Sequence, residues 1–191
     1  MNIILASNSP RRKELLKKIF AKFEIVVSNI KEDYPQNLSC NHIPIYLAIK
    51  KAENVYGKNL DSLIIAADTI VCIQNKILGK PKNKSEARKM LQLLNNKVHL
   101  VISGVCLIYK DKRISFSEET YVKFKDISEK QIEKYINSEE PYDKAGGYGI
   151  QGKAHDFVEN IVGDYDNVVG LPVNKIKEKL NELGIDPKNL F

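Results

Sequence analysis

The residues best suited to chemistry begin near the N-terminus, where two hydroxyls and two arginines follow a short apolar run. The segment is Ser7-Asn8-Ser9-Pro10-Arg11-Arg12. Ser9 and Pro10 suit the N-cap and the first position of a helix. The unpaired N–H groups of a helix N-terminus attract phosphate, and guanidinium groups add charge-assisted donors. The segment therefore predicts a phosphate site, although a simple Ser9 cap followed by solvated arginines would give the same pattern.

A single carboxylate, Asp68, interrupts the long apolar run at residues 63–73. Burying a carboxylate is costly unless it is paired, bound to metal or facing a cleft. Open α/β sheets bind ligands at the carboxyl ends of their strands. We therefore expect Asp68 to project into a site. The alternative is that Asp68 ends the strand by capping a turn.

Two later loops carry weaker signals. Pro81 stiffens a turn that holds Lys80, although lysines in loops are usually only solvated. Between Glu139 and Gly152 the chain is rich in glycine, with four of its ten glycines in the seven residues 146–152. Dense glycine permits positive φ and close approach of the backbone to a ligand. A plain flexible turn is the alternative, but it would not normally carry Tyr, Ile and Gln between its glycines.

Hydrophobic periodicity distributes these residues over strands and helices. We predict strands at residues 3–6, 63–73, 98–109 and 113–126. We predict a first helix that begins at Pro10 and four further helices, at residues 45–56, 85–95, 128–137 and 172–183. Two short strands should follow the glycine-rich stretch. Helices mixed with long strands indicate an α/β or α+β sheet protein. No repeat or linker interrupts the pattern, so one compact unit is expected.

The composition is that of a globular protein with an anionic partner. The 191 residues are 43% hydrophobic and 28% charged, with a net charge of +6. Only four of the 30 basic residues are arginine, and two of those four are Arg11 and Arg12. Arginine offers a rigid bidentate fork that lysine lacks. No apolar stretch approaches the roughly 20 residues of a membrane span, and the N-terminal run is shorter than the roughly 7–15 residues of a signal peptide core. We therefore expect a cytoplasmic protein without a membrane partner.

Taken together, the motifs resemble those of the Maf family of nucleotide pyrophosphatases. Six segments match in family order and cover nearly the whole chain. They are Leu5-Ala6-Ser7-x-Ser9-Pro10-Arg11-Arg12-x-Glu14-Leu15-Leu16, Ala67-Asp68-Thr69-Ile70-Val71, Leu78-Gly79-Lys80-Pro81, Ser103-Gly104-Val105, Asp143-Lys144-Ala145-Gly146-Gly147-Tyr148-Gly149-Ile150-Gln151-Gly152 and Asn167-Val168-Val169-Gly170-Leu171-Pro172. Each segment alone is modest, but six in order are specific.

The resemblance implies an α/β fold similar to that of inosine triphosphatase. This fold is a two-lobed, elongated mixed sheet flanked by helices, with the active site in the cleft between the lobes. It would form one domain over residues 1–191 without a linker. The family also implies a divalent metal (Mg or Mn), a nucleoside triphosphate substrate and, in many members, a homodimer. The residues themselves do not identify the metal ligands.

The resemblance also implies residue roles. Asp68 matches the catalytic base. The matching substrate-binding positions are Ser7, Arg11, Arg12, Lys51, Thr69, Lys80 and Gln151. Glu32 aligns loosely with a further acidic position.

Three of these positions also imply a branch of the family. Arg11, Thr69 and Gln151 match the members that prefer dTTP and UTP. The sister branch, which prefers 7-methyl-GTP, carries Trp, Gln and Glu there. One departure is Lys153-Ala154-His155-Asp156, where relatives often have small residues. That departure affects the shape expected for the loop after Gln151.

These features predict hydrolysis of dTTP and UTP to the monophosphate and pyrophosphate, a house-cleaning activity on nucleotide pools. Two other classes of function remain alternatives. The positive charge would suit a nucleic-acid-binding protein, but no basic helix or interleaving of aromatic and basic residues favours that. A non-catalytic regulator of cell division could use the same fold, and the intact Asp68, Lys80 and Arg11-Arg12 argue against it.

Overall fold

The structure, a computed structural model, describes residues 1–186. The strands are β1 (Asn2–Leu5), β2 (Glu24–Ile25), β3 (Ser62–Ile73), β4 (Lys76–Leu78), β5 (Val98–Tyr109), β6 (Lys112–Phe124) and β7 (Val158–Val162). The α-helices are α1 (Pro10–Leu16), α2 (Ile43–Tyr56), α3 (Lys84–Leu94), α4 (Glu129–Ile136), α5 (Tyr165–Val169) and α6 (Val173–Glu182). Short 3₁₀ helices span Glu140–Asp143, Ala145–Gly147 and Lys153–Phe157.

The seven strands form one mixed sheet. The strand order is β2-β1-β3-β5-β6-β7, with β4 paired to β3. β1 runs parallel to both β2 and β3, whereas the β3–β4 and β6–β7 pairs are antiparallel. The predicted α/β class with a mixed sheet and flanking helices is confirmed. Among residues 1–186, no helix is long and apolar enough to cross a membrane.

The described chain divides into two compact units. Unit 1 comprises residues 1–68, 103–118 and the segment that begins at Gly170, and unit 2 comprises residues 69–102 and 119–169. One apolar cluster of unit 1 packs the inner face of α2 against strands β1, β3 and β5. Its buried members are Ile4, Ala6, Ala48, Ala52, Val55, Ile64, Ala66, Cys106 and Ile108.

Gly104 sets how closely α2 approaches the sheet in unit 1. A Cβ at Gly104 would lie 2.1 Å from the carbonyl carbon of Pro44 and 2.2 Å from the amide nitrogen of Ile45. Both are backbone atoms, so no side-chain rotation could relieve the overlap. The absent side chain therefore allows the start of α2 to rest directly on β5, which places the rest of α2 over the sheet.

Unit 2 has its own core, in which α3 and α4 pack against the strands and the glycine-rich stretch. Leu91 and Leu94 of α3 and Ile132 of α4 are fully or almost fully buried there. Aromatic rings fill the middle, with Phe124 in edge-to-face contact with both His99 and Tyr148. Such aromatic pairs add about 0.5–1.5 kcal/mol each to the stability that burial alone provides. The glycine-rich stretch is therefore part of a core and not a surface appendage.

Most predicted elements are confirmed, two differ, and two short strands were not predicted. α1 ends at Leu16, although Ile19 and Phe20 beyond it are buried as its apolar face predicted. Only one of the two short strands expected after the glycine-rich stretch exists, since Tyr165–Val169 is helical. Strands β2 and β4 were not predicted, because two or three residues are too few to show a period. The last five residues of the predicted domain lie outside the described part of the chain.

Candidate active site

The first group of candidate residues lies where β1 leads into α1. Ser9 is the N-cap of α1, since its Oγ accepts a hydrogen bond from the Arg12 amide at 3.5 Å. Pro10 occupies the first turn, where a missing N–H costs nothing. Ser7 lies at the end of β1, almost fully buried, and its Oγ accepts from the Ser9 amide at 3.2 Å. The predicted strand-to-helix turn is confirmed, and it presents a fixed arginine.

That fixed arginine is Arg12. Its Nε donates to the carbonyl oxygen of Gly170 at 2.9 Å, and its Nη1 donates to Ser7 Oγ at 3.3 Å. Burial lowers the pKa of the guanidinium, and the charge of Asp68 opposes that shift. An arginine held by two acceptors has its orientation set before a ligand arrives, which suits recognition of an anion.

The second group is a carboxylate pair around one buried lysine. Asp68 lies on β3 and is only 8% exposed, and Lys51 on α2 is 7% exposed. The Lys51 Nζ lies 2.6 Å from Asp68 Oδ1 and 2.7 Å from Glu32 Oε1. A buried charge is costly without a partner, and here the lysine and Asp68 supply each other with one. The loosely aligned Glu32 thus joins the same group, with its side chain 57% exposed.

The loop that carries Glu32 is held by the neighbouring lysine of α2. The Lys50 Nζ lies 2.6 Å from Asp33 Oδ1 and also donates to the carbonyl oxygens of Lys31 and Asp33. Exposed ion pairs of this kind contribute little stability, roughly 0–1 kcal/mol. Their effect here is geometric, because Lys50 and Lys51 bind adjacent acidic residues and so fix where Glu32 points.

These residues share one electrostatic neighbourhood. The charge of Arg12 interacts electrostatically with the charges of Asp68, Glu32 and Arg11. With Lys51 the set contains three cations and two carboxylates, a formal excess of one positive charge. A group with this balance favours an anionic ligand.

The candidates of unit 2 lie on three of its segments. Thr69 directly follows Asp68 on β3, and Lys80 lies exposed on the turn after β4. The Gly146 amide donates to the carbonyl oxygen of Gly79 at 3.0 Å, so the Lys80 turn is joined to the glycine-rich stretch. A Cβ on Gly146 (φ +70°) would lie 2.9 Å from Val71 Cγ2. The strand, the turn and the glycine-rich stretch therefore pack together, and Gln151 is exposed at the end of that stretch.

Two contributors to the site were not identified from residue type and spacing. The Gly170 carbonyl orients Arg12, but a backbone acceptor leaves no mark in the residue types. Lys51 was assigned only through the family resemblance, although a signal was present. It follows Ala48 by three residues and precedes Val55 by four, on the apolar face of α2. A lysine in that stripe must be buried and therefore needs a partner.

The residues present fit a divalent cation that arrives with a phosphate ligand. Among residues 1–186 there is no group of three or more His, Cys, Asp or Glu side chains that could hold a metal by themselves. The oxygens of Asp68 and Glu32 nevertheless converge on the Lys51 Nζ. Magnesium is usually held by one or two carboxylates, with substrate phosphates and water completing its shell.

Comparison with known proteins identifies the family of the chain. The family model "Maf-like protein" matches residues 2–183, and the chain belongs to the Maf family. Relatives from Bacillus anthracis and Bacillus cereus, named dTTP/UTP pyrophosphatase, are each 50% identical over 184 residues, which is 96% of this chain and 96% of theirs.

The fold also has a solved counterpart. The structure of the Staphylococcus aureus Ham1 protein has a TM-score of 0.54 with 17% identity, covering 96% of this chain and all of that one. At this identity the likeness concerns the fold alone, and it agrees with the predicted similarity to inosine triphosphatase-type proteins.

Proposed function

We propose that the protein hydrolyses dTTP and UTP to the nucleoside monophosphate and pyrophosphate. The observation that carries the proposal is the 50% identity, over 96% of the chain, to relatives named dTTP/UTP pyrophosphatase. The site supports it independently, since an oriented arginine, a buried lysine and a carboxylate lie together on unit 1. Those are the groups needed to hold a polyphosphate and activate water.

Phosphate binding falls to the basic residues. Arg12 offers a guanidinium whose orientation is already set by Ser7 and Gly170. Arg11 precedes it on the first turn of α1, and Lys51 and Lys80 complete the set. Lysine and arginine side chains on the transferring phosphoryl group stabilise charge that develops in the transition state. Ser7 contributes a hydroxyl at the same turn.

Asp68 acts as the general base. With Oδ1 on Lys51, Oδ2 is the oxygen that orients a water molecule toward the α-phosphorus. As the water oxygen bonds to phosphorus, its proton passes to Asp68, the bond from the α-phosphorus to the bridging oxygen breaks, and pyrophosphate leaves.

A divalent cation, Mg²⁺ or Mn²⁺, would neutralise the triphosphate and polarise its phosphoryl oxygens. Asp68 and Glu32 are the residues that would hold it, because both carboxylates already converge on one cation, the Lys51 ammonium.

Selectivity for pyrimidines falls to Gln151, with Arg11 and Thr69. Uracil and thymine present two carbonyl acceptors on either side of one N3–H donor. A neutral amide supplies both a donor and an acceptor to that edge, and a guanidinium supplies donors to a carbonyl. Gln151 is exposed at the end of the glycine-rich stretch, so its amide can reach a ligand in solution.

A nucleotide panel tests the proposal. Purified protein with Mg²⁺ or Mn²⁺ is given dTTP, UTP, dCTP, ATP, GTP and 7-methyl-GTP, and products are separated by ion-exchange chromatography. The expected result is monophosphate and pyrophosphate, with dTTP and UTP the best substrates. Release of diphosphate and phosphate would contradict the proposed reaction. DNA affinity that falls steeply with salt, without hydrolysis, would favour the nucleic-acid-binding alternative.

A further inference from the structure

The segment Gly149–Gly152 is covered at both of its glycines by side chains from the preceding turn. A Cβ on Gly149 would lie 2.5 Å from Lys144 Cε, and a Cβ on Gly152 would lie 2.3 Å from Glu140 Oε2. Gly152 has φ −107°, a value that any residue adopts, so backbone conformation does not explain this glycine. The close approach of the Glu140 carboxylate does.

The Glu140 carboxylate also binds the backbone just beyond Gln151. The Lys153 amide donates to Glu140 Oε2 at 3.0 Å and to Oε1 at 3.3 Å. Hydrogen bonds to an ionised acceptor are about twice as strong as neutral ones. Both carboxylate oxygens therefore fix the chain two residues after Gln151.

The other end of the segment is fixed as well. The Gly149 amide donates to the Tyr135 hydroxyl at 3.3 Å, and the Lys144 Nζ donates to the carbonyl oxygen of Glu140 at 2.7 Å. Between the two ends, Ile150 is 3% exposed in the core while the next residue, Gln151, is exposed. Ile150 thus anchors the segment inward and leaves the Gln151 side chain facing outward.

We propose that Glu140 is a positioning residue for base selectivity, which fixes the backbone that carries Gln151 so that its amide meets the pyrimidine edge. This inference rests on the proposed function. A preset amide loses less entropy when a base binds, so selectivity depends on the rigidity of the segment as well as on Gln151 itself. Glu140 touches no substrate; it acts through the backbone of Gly152 and Lys153.

The test compares kcat/KM for UTP and ATP in three variants. Glu140→Ala removes the carboxylate, Glu140→Gln keeps one acceptor in place, and Glu139→Ala removes an equal charge from the exposed neighbouring residue. We expect Glu140→Ala to lower the UTP/ATP ratio by about fivefold or more, as loss of one well-placed hydrogen bond would. Glu140→Gln should restore most of the ratio, and Glu139→Ala should leave it within about twofold, as surface changes do.

The two hydrogen bonds from the Lys153 amide to the Glu140 carboxylate form what we call the Glu140 clamp. Amide hydrogen exchange measures the stability of this clamp without any substrate. The Lys153 amide should exchange faster in Glu140→Ala than in the wild type or in Glu139→Ala. If Glu140→Ala fails to fold, Lys153→Pro removes the donated N–H at the first position of a 3₁₀ helix, where proline is tolerated. Lys153→Ala keeps the N–H and is its control, so only Lys153→Pro should lose selectivity.

Three results would overturn the inference. A Glu140→Ala variant that keeps the wild-type UTP/ATP ratio would show that Gln151 does not need the clamp. Equal losses with UTP and ATP would make Glu140 a general structural residue. Wild-type protein that hydrolyses UTP and ATP equally well would instead contradict the proposed pyrimidine preference, and the role of Glu140 would fall with it. The wild-type ratio thus tests the function, and the variants test the clamp.

Discussion

The ammonium nitrogen of Lys51 lies 2.6 Å from Oδ1 of Asp68, and both side chains are almost fully buried. Removing one partner of a buried ion pair leaves a costly unpaired charge. Here Glu32 Oε1, 2.7 Å from the same nitrogen, remains as a second partner for Lys51. Asp68 can therefore be replaced by a neutral residue while Lys51 keeps Glu32 as a charged partner, so the fold should tolerate the substitution.

We accordingly predict that Asp68→Asn retains the fold and loses turnover. Asparagine keeps the shape and an oxygen for Lys51 but cannot accept the proton of the attacking water. Loss of a general base lowers kcat by about 10²–10⁴-fold. Steady-state kinetics, with nucleotide binding by calorimetry and folding by circular dichroism, measure the effect. Asp61→Asn, at an exposed position before β3, is the control. A variant with most of the wild-type turnover would place the base elsewhere.

Arg12→Ala should lower kcat/KM by the same factor for every nucleoside triphosphate, whatever its base. The Arg12 guanidinium is oriented by Ser7 Oγ and the Gly170 carbonyl, and in the proposed mechanism it contacts phosphate. The ratio of kcat/KM between UTP and ATP should therefore stay constant while both values fall. Arg113→Ala, which removes an exposed arginine paired with Glu53, controls for loss of charge. A change in the ratio would show that Arg12 contacts the base.

Gln151→Glu should lower kcat/KM for UTP far more than for ATP. The carboxylate lacks the N–H donors of the amide and would leave a carbonyl of uracil unpaired. An unpaired buried polar group costs about 1–3 kcal/mol, or roughly 5- to 150-fold in kcat/KM. The exposed Gln131→Glu exchange at the start of α4 is the matched control for charge. Equal losses with both nucleotides would mean that Gln151 supports the loop and does not contact the base.

The stability of the protein should fall as pH is lowered from about 6.5 to about 4 because of His99. Burial lowers the pKa of His99 to about 4, so the unfolded chain binds a proton in this window that the folded protein does not. The contribution of His99 to the free energy of unfolding is fully present above the pKa of His99 in the unfolded chain. It is lost as the pH falls toward the pKa of His99 in the folded protein, by about 3 kcal/mol in total. Urea unfolding at several pH values measures it.

Two variants, one at His99 and one at an exposed histidine, test whether His99 causes this pH effect. His99→Gln removes the titrating ring and keeps a partner for the Tyr148 hydroxyl, which lies 2.7 Å from His99 Nε2. The variant should show a shallower dependence of unfolding free energy on pH. His155→Gln, at an exposed position, should behave as the wild type. A wild-type slope in His99→Gln would assign the effect to other groups.

Residue type and spacing predicted the parts of the site that carry their own signal. Asp68 stood out as a charge within an apolar run, and Arg11-Arg12 as a rare arginine pair after a helix cap. Both the cap and the buried Asp68 are present in the structure. The roles assigned to these residues stay predictions that the experiments above test.

The remaining contributors could not be predicted, for identifiable reasons. Glu32 lies in a loop without periodicity, so the family resemblance aligned it only loosely, and the contact with Lys51 places it in the site. The Gly170 carbonyl acts through its backbone. Glu140 belongs to the glycine-rich segment that was expected to approach a ligand through its backbone, and nothing in its residue types indicated that the Glu140 carboxylate binds the Lys153 amide. In each case the information lies in contacts between distant or irregular parts of the chain.

The most direct test of the proposed activity is hydrolysis of UTP in ¹⁸O-labelled water, with the products analysed by mass spectrometry. Activation of water by Asp68 for attack on the α-phosphorus predicts UMP and pyrophosphate, with one labelled oxygen in UMP and none in pyrophosphate. Label in pyrophosphate, with unlabelled UMP, would mean that water attacks the β-phosphorus. Formation of UDP and labelled phosphate would mean attack at the γ-phosphorus. Either result would contradict the account.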